Sequence, residues 1–282
     1  MSSTMVRKAV IPAAGLGTRV RAIAGELPKE LLLVAAKPLI VHAIEGLAAC
    51  GIRQIAVVIS PAKDSIRRFL LGESPQFLAP YLDAHLRVLL RSCDFSFFVQ
   101  KNPAGVADAV SLCREFVGDE PFVLVMPDNV LLDGLPPVAQ LLPFFSQYPQ
   151  DLIGTIRLPA DEAFRFGNVG FLEARALSEE SPRLLKVSRY SDKERGTVQV
   201  PSDVSVLKSF GIGICLPHFF DFIERWRPHA QGEVDDVPVI QAIIREKRLL
   251  AVLLEGNGFD VGNPEGYWAA NLYVENKKPL HP

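Results

Sequence analysis

Short apolar runs alternate with stretches of helical periodicity through the first half of the chain. Ala9-Val10-Ile11 has the look of a buried parallel strand, and a turn of small residues follows it. KPLIVHAIEGLAACG then places Leu39, Ile40, Ala43, Ile44, Leu47 and Ala48 on one helical face, closed by Gly51. Further strands are predicted at 54–60, 94–100, 121–129 and 151–158. Helical spacing runs over 61–90, with a break from Gly72 to Pro75, and over about 136–148. Such alternation makes βαβ units and a mostly parallel sheet. Polar clusters sit after Ile11, at Gln100 and at Asp128, all at strand carboxyl ends, where open α/β sheets bind ligands. Beyond residue 160 the pattern changes. Short strands are predicted at 168–173 and 184–190, then a polar loop, a long strand from about Val204 to Leu216, helices at 217–226 and about 235–247, a strand at 249–255 and a last helix from Pro264.

Composition points to a globular protein: 49% hydrophobic and 22% charged residues support a substantial core. A net charge of −2 leaves no footprint for nucleic acid, so any anion site must be local. Cys50, Cys93, Cys113 and Cys215 lie far apart, without a C-x-x-C pair, and read as thiols of a reducing compartment. No apolar run is long enough for a membrane span, and MSSTMVRK lacks the apolar centre of a signal peptide. A cytoplasmic protein without membrane contact is expected.

The densest chemistry lies in AVIPAAGLGTRVRAIAGELPKE, residues 9–30. Ala13, Ala14, Gly15, Gly17 and Thr18 put little side chain between a ligand and the backbone N–H groups, so this turn can cradle phosphates. Arg19 and Lys29 add cations that neutralise charge the amides only hydrogen-bond. The dinucleotide fingerprint does not fit, because Val20 stands where its third glycine belongs. The P-loop does not fit either, since Gly17-Thr18-Arg19 replaces Gly-Lys-Ser/Thr. On these residues alone, an ordinary turn with two solvated cations stays open.

The string as a whole resembles the signature of the sugar-1-phosphate nucleotidylyltransferases. PAAGLGTR with PKE is similar to the bacterial UTP–glucose-1-phosphate uridylyltransferase branch, whereas the thymidylyltransferase branch usually has glycine at the position of Ala14. The resemblance runs from about residue 5 to 277. It implies an α/β, Rossmann-like nucleotide-diphospho-sugar transferase fold with a mixed central sheet flanked by helices. The nucleotide-binding core would span 1–160, and 161–282 would be the sugar-binding half of the same domain, ending in the C-terminal helix. The implied reaction joins a nucleoside triphosphate, UTP by preference, to a sugar 1-phosphate such as glucose 1-phosphate. It releases pyrophosphate by Mg²⁺-assisted in-line attack, in a homo-oligomer (dimer or tetramer).

Carried over residue by residue, the resemblance makes Gln100, with Pro103 and Gly105, the base-binding element. A side-chain amide can pair with a pyrimidine edge, and a glycine lets the base pass close to the backbone. Asp128 and Asp260 resemble the two metal-binding aspartates, with Pro127 where the family has glycine. Arg19 would hold the leaving pyrophosphate, and Lys29 would offset charge near the reacting phosphates. Gly167 in FGNVGF and Glu233 in QGEVDDVP resemble the sugar-binding elements, which leaves Asp235 and Asp236 as bystanders. The departure is KVSRYSDK, 186–193, where the family writes Val-Glu-Lys-Pro and its lysine binds the sugar phosphate. Arg189 is the expected substitute, with Lys186 or Lys193 as alternatives. Two other readings stay open: a nucleotide-sugar sensor without turnover, and a thymidylyltransferase of the same family.

Overall fold

The opening apolar run forms strand β1 (Lys8–Pro12), fully buried at Ala9, Val10 and Ile11. It is seen in a computed structural model that describes residues 5–73, 78–159, 162–163, 166, 170–191, 205–230 and 232–277. Past the glycine turn and the Pro-Lys-Glu segment, β2 (Leu33–Val34) and β3 (Lys37–Pro38) make a small hairpin. Then come β4 (Gln54–Ile59), β5 (Asp94–Val99), β6 (Phe122–Val125), β7 (Asn129–Leu132) and β8 (Asp151–Pro159). The second half contributes β9 (Phe171–Ala176), β10 (Leu184–Tyr190), β11 (Ser205–Cys215), β12 (Leu249–Leu253) and β13 (Asn257–Asp260).

Nine strands form one sheet in the order β5-β4-β1-β6-β11-β8-β12-β10-β9. The four on the β5 side are parallel, so their carboxyl ends share one edge. β8 and β12, further along the sheet, also pair in parallel, so the expectation of a mostly parallel sheet fails only where β10 and β11 intervene. β11 runs antiparallel to both β6 and β8, and β10 antiparallel to β12 and β9, which makes the sheet mixed. β8 lies between β11 and β12 although it precedes both in sequence, so the sheet is continuous across residue 160. Strand alternation sends Ala9 and Ile11 to one apolar layer and Val10 to the other, and helices cover both faces.

Two predicted strands have different bounds. The run 121–129 is β6 and β7 separated by a turn at Met126–Asn129, closed by Asn129 N donating to Met126 O at 3.3 Å. Pro127 takes the second position of that turn, where its fixed φ is favoured, so replacing the family's glycine leaves the turn intact. The stretch 61–90 breaks as expected, into the helices Asp64–Leu70 and Ala84–Arg91. The strand expected at 168–173 runs from Phe171 to Ala176.

Beneath the first turn lies a buried ion pair. Lys63 Nζ donates to Glu30 Oε1 and Oε2 at 2.9 and 2.8 Å and to the carbonyl of Ala13 at 2.9 Å. Glu30 is 1% exposed and Lys63 7%. The pair ties the glycine turn to the segment that carries Lys29, and it fixes the spacing between the two.

Candidate active site

A cleft of about 590 Å³ opens over the shared carboxyl edge of the parallel strands. Its rim is the turn after β1, where Ala14, Gly15, Gly17, Thr18 and Arg19 line the cleft. Gly17 has φ +64°, a conformation open to glycine at little cost, and nothing stands within 4 Å of where a side chain at Gly15 would begin. Ala13 is a correction: it is fully buried, its N–H donates to Val58 O at 2.7 Å and its carbonyl is held by Lys63. It anchors the turn from behind and offers no amide to a ligand.

The floor of the cleft is the pair Asp128 and Asp260. The antiparallel ribbon of β7 and β13 sets Asp260 opposite Asn129, and Val261 N donates to Asp128 O at 2.8 Å. A Cβ placed at Gly262 would stand 2.5 Å from Asp128 Oδ2 and 3.0 Å from Asp260 Oδ1. Both carboxylates therefore converge beside a residue that has no side chain to intrude. Lys29 Nζ pairs with Asp128 Oδ2. Burial alone would push the Asp128 carboxyl up, but Lys29 beside it and Arg19 nearby hold it below the ordinary carboxylate range. Burial, and then the charge of Asp128, push Asp260 up. Burial works against the charge on Lys29 too, yet Asp128, Glu30 and Asp260 outweigh it and raise Lys29 above its usual range.

Two converging carboxylates fit Mg²⁺, which is commonly bound through one or two carboxylates plus substrate phosphates and water. Among the described residues no cluster of three or more His, Cys, Asp or Glu could hold an ion with protein ligands alone. The donor set suits an ion that arrives with phosphate.

Gln100 closes one side of the cleft, 5% exposed. Its Nε2 donates to Gly105 O at 3.1 Å and to Asp108 Oδ2 at 2.8 Å. Both amide protons are thereby committed, and what the side chain can offer a ligand is the acceptor Oε1. Gly105, at φ +99°, has a reason other than the expected passage of a base: a Cβ there would lie 2.4 Å from Val234 O. It is glycine because another loop's backbone packs against it.

Glu233 lines the far end of the cleft, exposed. Asp235 and Asp236 are not bystanders. Both line the cleft, and Asp235 also caps the helix Asp236–Glu246 by accepting from Asp236 N at 2.8 Å. Gly167 and Lys193 lie outside the described residues.

Arg189 is the clearest correction. It points away from the cleft, 63% exposed in its side chain, with Nη1 donating to Glu173 Oε1 at 3.2 Å on the neighbouring strand β9. Lys186 is exposed as well. A register shift between Val187 and Arg189 turns Tyr190 into the cleft instead. Burial pushes the Tyr190 phenol well above its ordinary range, and Asp236 adds to this.

Among the described residues, the cation that stands on this wall is Lys208 of β11, which belongs to no recognised motif. Its one sequence signal is a lysine inside the long strand run VSVLKSFGIGIC. Lys208 is 5% exposed, and burial holds it down to about 8, with Asp260 opposing and Arg19 assisting. A buried lysine held this low costs stability while charged. The cost is complete below about pH 8 and is recovered as pH rises from there towards 10.5. Lys208→Met should therefore be more stable than the wild type at pH 7, by on the order of 3 kcal/mol. Urea unfolding at pH 7 and pH 10 should show that advantage shrinking at the higher pH; an equal advantage at both would contradict it.

The family model described as Nucleotidyl transferase matches residues 8–277. The UTP–glucose-1-phosphate uridylyltransferase of Bacillus subtilis is 30% identical over 275 residues, covering 95% of this chain and 90% of that protein. The enzyme of the same name from Pseudomonas aeruginosa is 27% identical, over 96% of this chain and 97% of its own. Among solved structures, a UDP-glucose pyrophosphorylase complexed with UDP-glucose superposes with a TM-score of 0.82 at 25% identity, over 97% of this chain and all of that one.

Proposed function

Because the chain belongs to the nucleotidyl transferase family, we propose that it joins UTP to glucose 1-phosphate and releases UDP-glucose and pyrophosphate. The observation that carries this reading is the convergence of Asp128 and Asp260 next to Lys29 and below the glycine turn. The relatives named for this reaction support the choice of substrates.

The triphosphate lies along the turn from Ala14 to Thr18, with Arg19 on the phosphates that leave. A phosphate oxygen of the sugar 1-phosphate attacks the α-phosphorus; the new O–P bond forms as the bond to the β-phosphate oxygen breaks, and pyrophosphate departs. No general base is needed, since a phosphate monoester is already an anion at neutral pH. Two anions must be brought together, so the residues act by positioning and by screening charge. Asp128 and Asp260 would hold Mg²⁺, which would screen the negative charge of the substrate phosphates. Lys29 is placed to exchange its contact with Asp128 for one with a phosphate oxygen. The four cysteines are free thiols, which supports a reducing compartment such as the cytoplasm.

Gln100 gives the base preference. Its committed amide leaves Oε1 as an acceptor, which suits the N3–H of uracil and thymine. Cytosine presents an acceptor at N3 and would set two lone pairs against each other. Pyrophosphate release measured with different triphosphates is expected to be fastest with UTP, next with dTTP, and at least tenfold slower with CTP, as expected for loss of one buried hydrogen bond with its acceptors left opposed. CTP or a purine triphosphate used better than UTP would overturn this reading.

A further inference from the structure

The sugar phosphate needs a cation, and β10 does not provide one. Ser188 Oγ donates to Glu173 O at 3.0 Å and Arg189 to the Glu173 carboxylate, so both are turned to the edge strand β9. β11 takes a different course. It is antiparallel to β6, with Ile212 opposite Val125 and Met126 N donating to Gly211 O at 2.7 Å. Its earlier residues therefore run on past the end of β6, alongside the turn that holds Asp128. Lys208 lies on that overhang. Thr155 Oγ1 donates to its carbonyl at 2.7 Å, and its ammonium sits 5.0 Å from the centre of the Phe171 ring. The described cations that line the cleft are Arg19, Lys29 and Lys208. Arg19 and Lys29 belong to the triphosphate side, whereas Lys208 stands on the wall with Tyr190 and Ser209.

We propose that Lys208, reaching in from β11, binds the phosphate of the sugar 1-phosphate, the role that the family's pattern gives to a lysine on β10. This rests on the reading of the cleft as a nucleotidyl transferase site. A compact ammonium on a buried wall is a point donor that meets a phosphate oxygen from one side. The approach of an anion also offsets the cost of holding that charge out of water. The cation has moved to the adjoining wall, and with it the direction from which the sugar phosphate is held.

Equilibrium binding tests this without requiring turnover. Glucose 1-phosphate is titrated calorimetrically into the full-length wild type, Lys208→Met, Lys208→Arg and Arg189→Ala, with and without a saturating α,β-methylene analogue of UTP. Lys208→Met should weaken glucose 1-phosphate binding by about ten- to a hundredfold, while Lys208→Arg recovers part of it and Arg189→Ala changes nothing. Affinity for the UTP analogue should stay within about twofold in all four proteins, and this also shows that the variants are folded. Wild-type affinity in Lys208→Met, no measurable binding of glucose 1-phosphate to the wild type, or equal losses for both ligands would each overturn the assignment. Steady-state kinetics on the same proteins should place the effect on the KM for glucose 1-phosphate. If the wild type forms no UDP-glucose while the binding difference holds, it is the enzymatic reading that fails and the phosphate site that stands.

Discussion

Asp128→Asn and Asp260→Asn are each expected to lower kcat by about 10²- to 10³-fold at saturating substrates, the usual result of losing an electrostatic contact made in the transition state. The two carboxylates are nearly isosteric with their amides, so the fold should survive, and far-UV circular dichroism should not change. Their environments make the two losses unequal in kind. Asp128 is held ionised by Lys29, and its amide form would leave the Lys29 ammonium without its partner. Asp260 is pushed towards its neutral form by burial and by Asp128. Removing its charge should therefore ease the free protein slightly while harming the reaction. A magnesium titration of the rate completes the test: both variants should need far more of the ion to reach half-maximal rate. Full activity in either variant at limiting magnesium would remove the carboxylate pair from the mechanism.

The second large effect concerns stability. Glu30→Gln or Lys63→Met should each destabilise the protein by roughly 3–5 kcal/mol, because each leaves one charge of a buried pair uncompensated. With Glu30 1% and Lys63 7% exposed, water cannot take the lost partner's place without the turn opening. Replacing both residues by methionine should recover much of the loss, since a well-packed apolar pair of similar volume is often no worse than the ion pair. The carbonyl of Ala13 would still lack its donor, so the recovery should be incomplete. Urea unfolding of the three proteins decides it. A double variant as unstable as the sum of the two singles would show that the pair does not act as a unit.

Much of the parallel half could be read from the sequence because its signals are local. A three-residue apolar run followed by small residues defines β1 and its turn, and Gln100 and Asp128 each sit where a strand gives way to a turn. The start of the last helix at Pro264 was equally local: the helix runs Pro264–Asn276, and Asn263 caps it, its Oδ1 accepting from Gly266 N at 2.8 Å. Features that depend on pairing between distant segments were not legible. Gly105 is explained by Val234, in a loop from the other half of the chain. Gln100 owes its fixed orientation to Asp108 and to the Gly105 carbonyl, which no motif specifies.

The sugar-phosphate wall shows the same limit most sharply. Reading KVSRYSDK against the family's pattern assumes an undisturbed strand, in which neighbours alternate between faces. The register shift between Val187 and Arg189 breaks that alternation, so Arg189 meets Glu173 and Tyr190 enters the cleft. Lys208 belongs to no motif. Its importance comes from β11 running antiparallel to β6 and overhanging its end, a relation that exists only once the sheet order is known.

The most direct test of the account is product formation by the purified wild type from UTP and glucose 1-phosphate with magnesium. UDP-glucose and pyrophosphate should appear in equal amounts, and chelation of the metal should stop both. If the protein binds UDP-glucose yet releases no pyrophosphate with any pairing of triphosphate and sugar 1-phosphate, it is a sensor on this fold and the catalytic account is wrong.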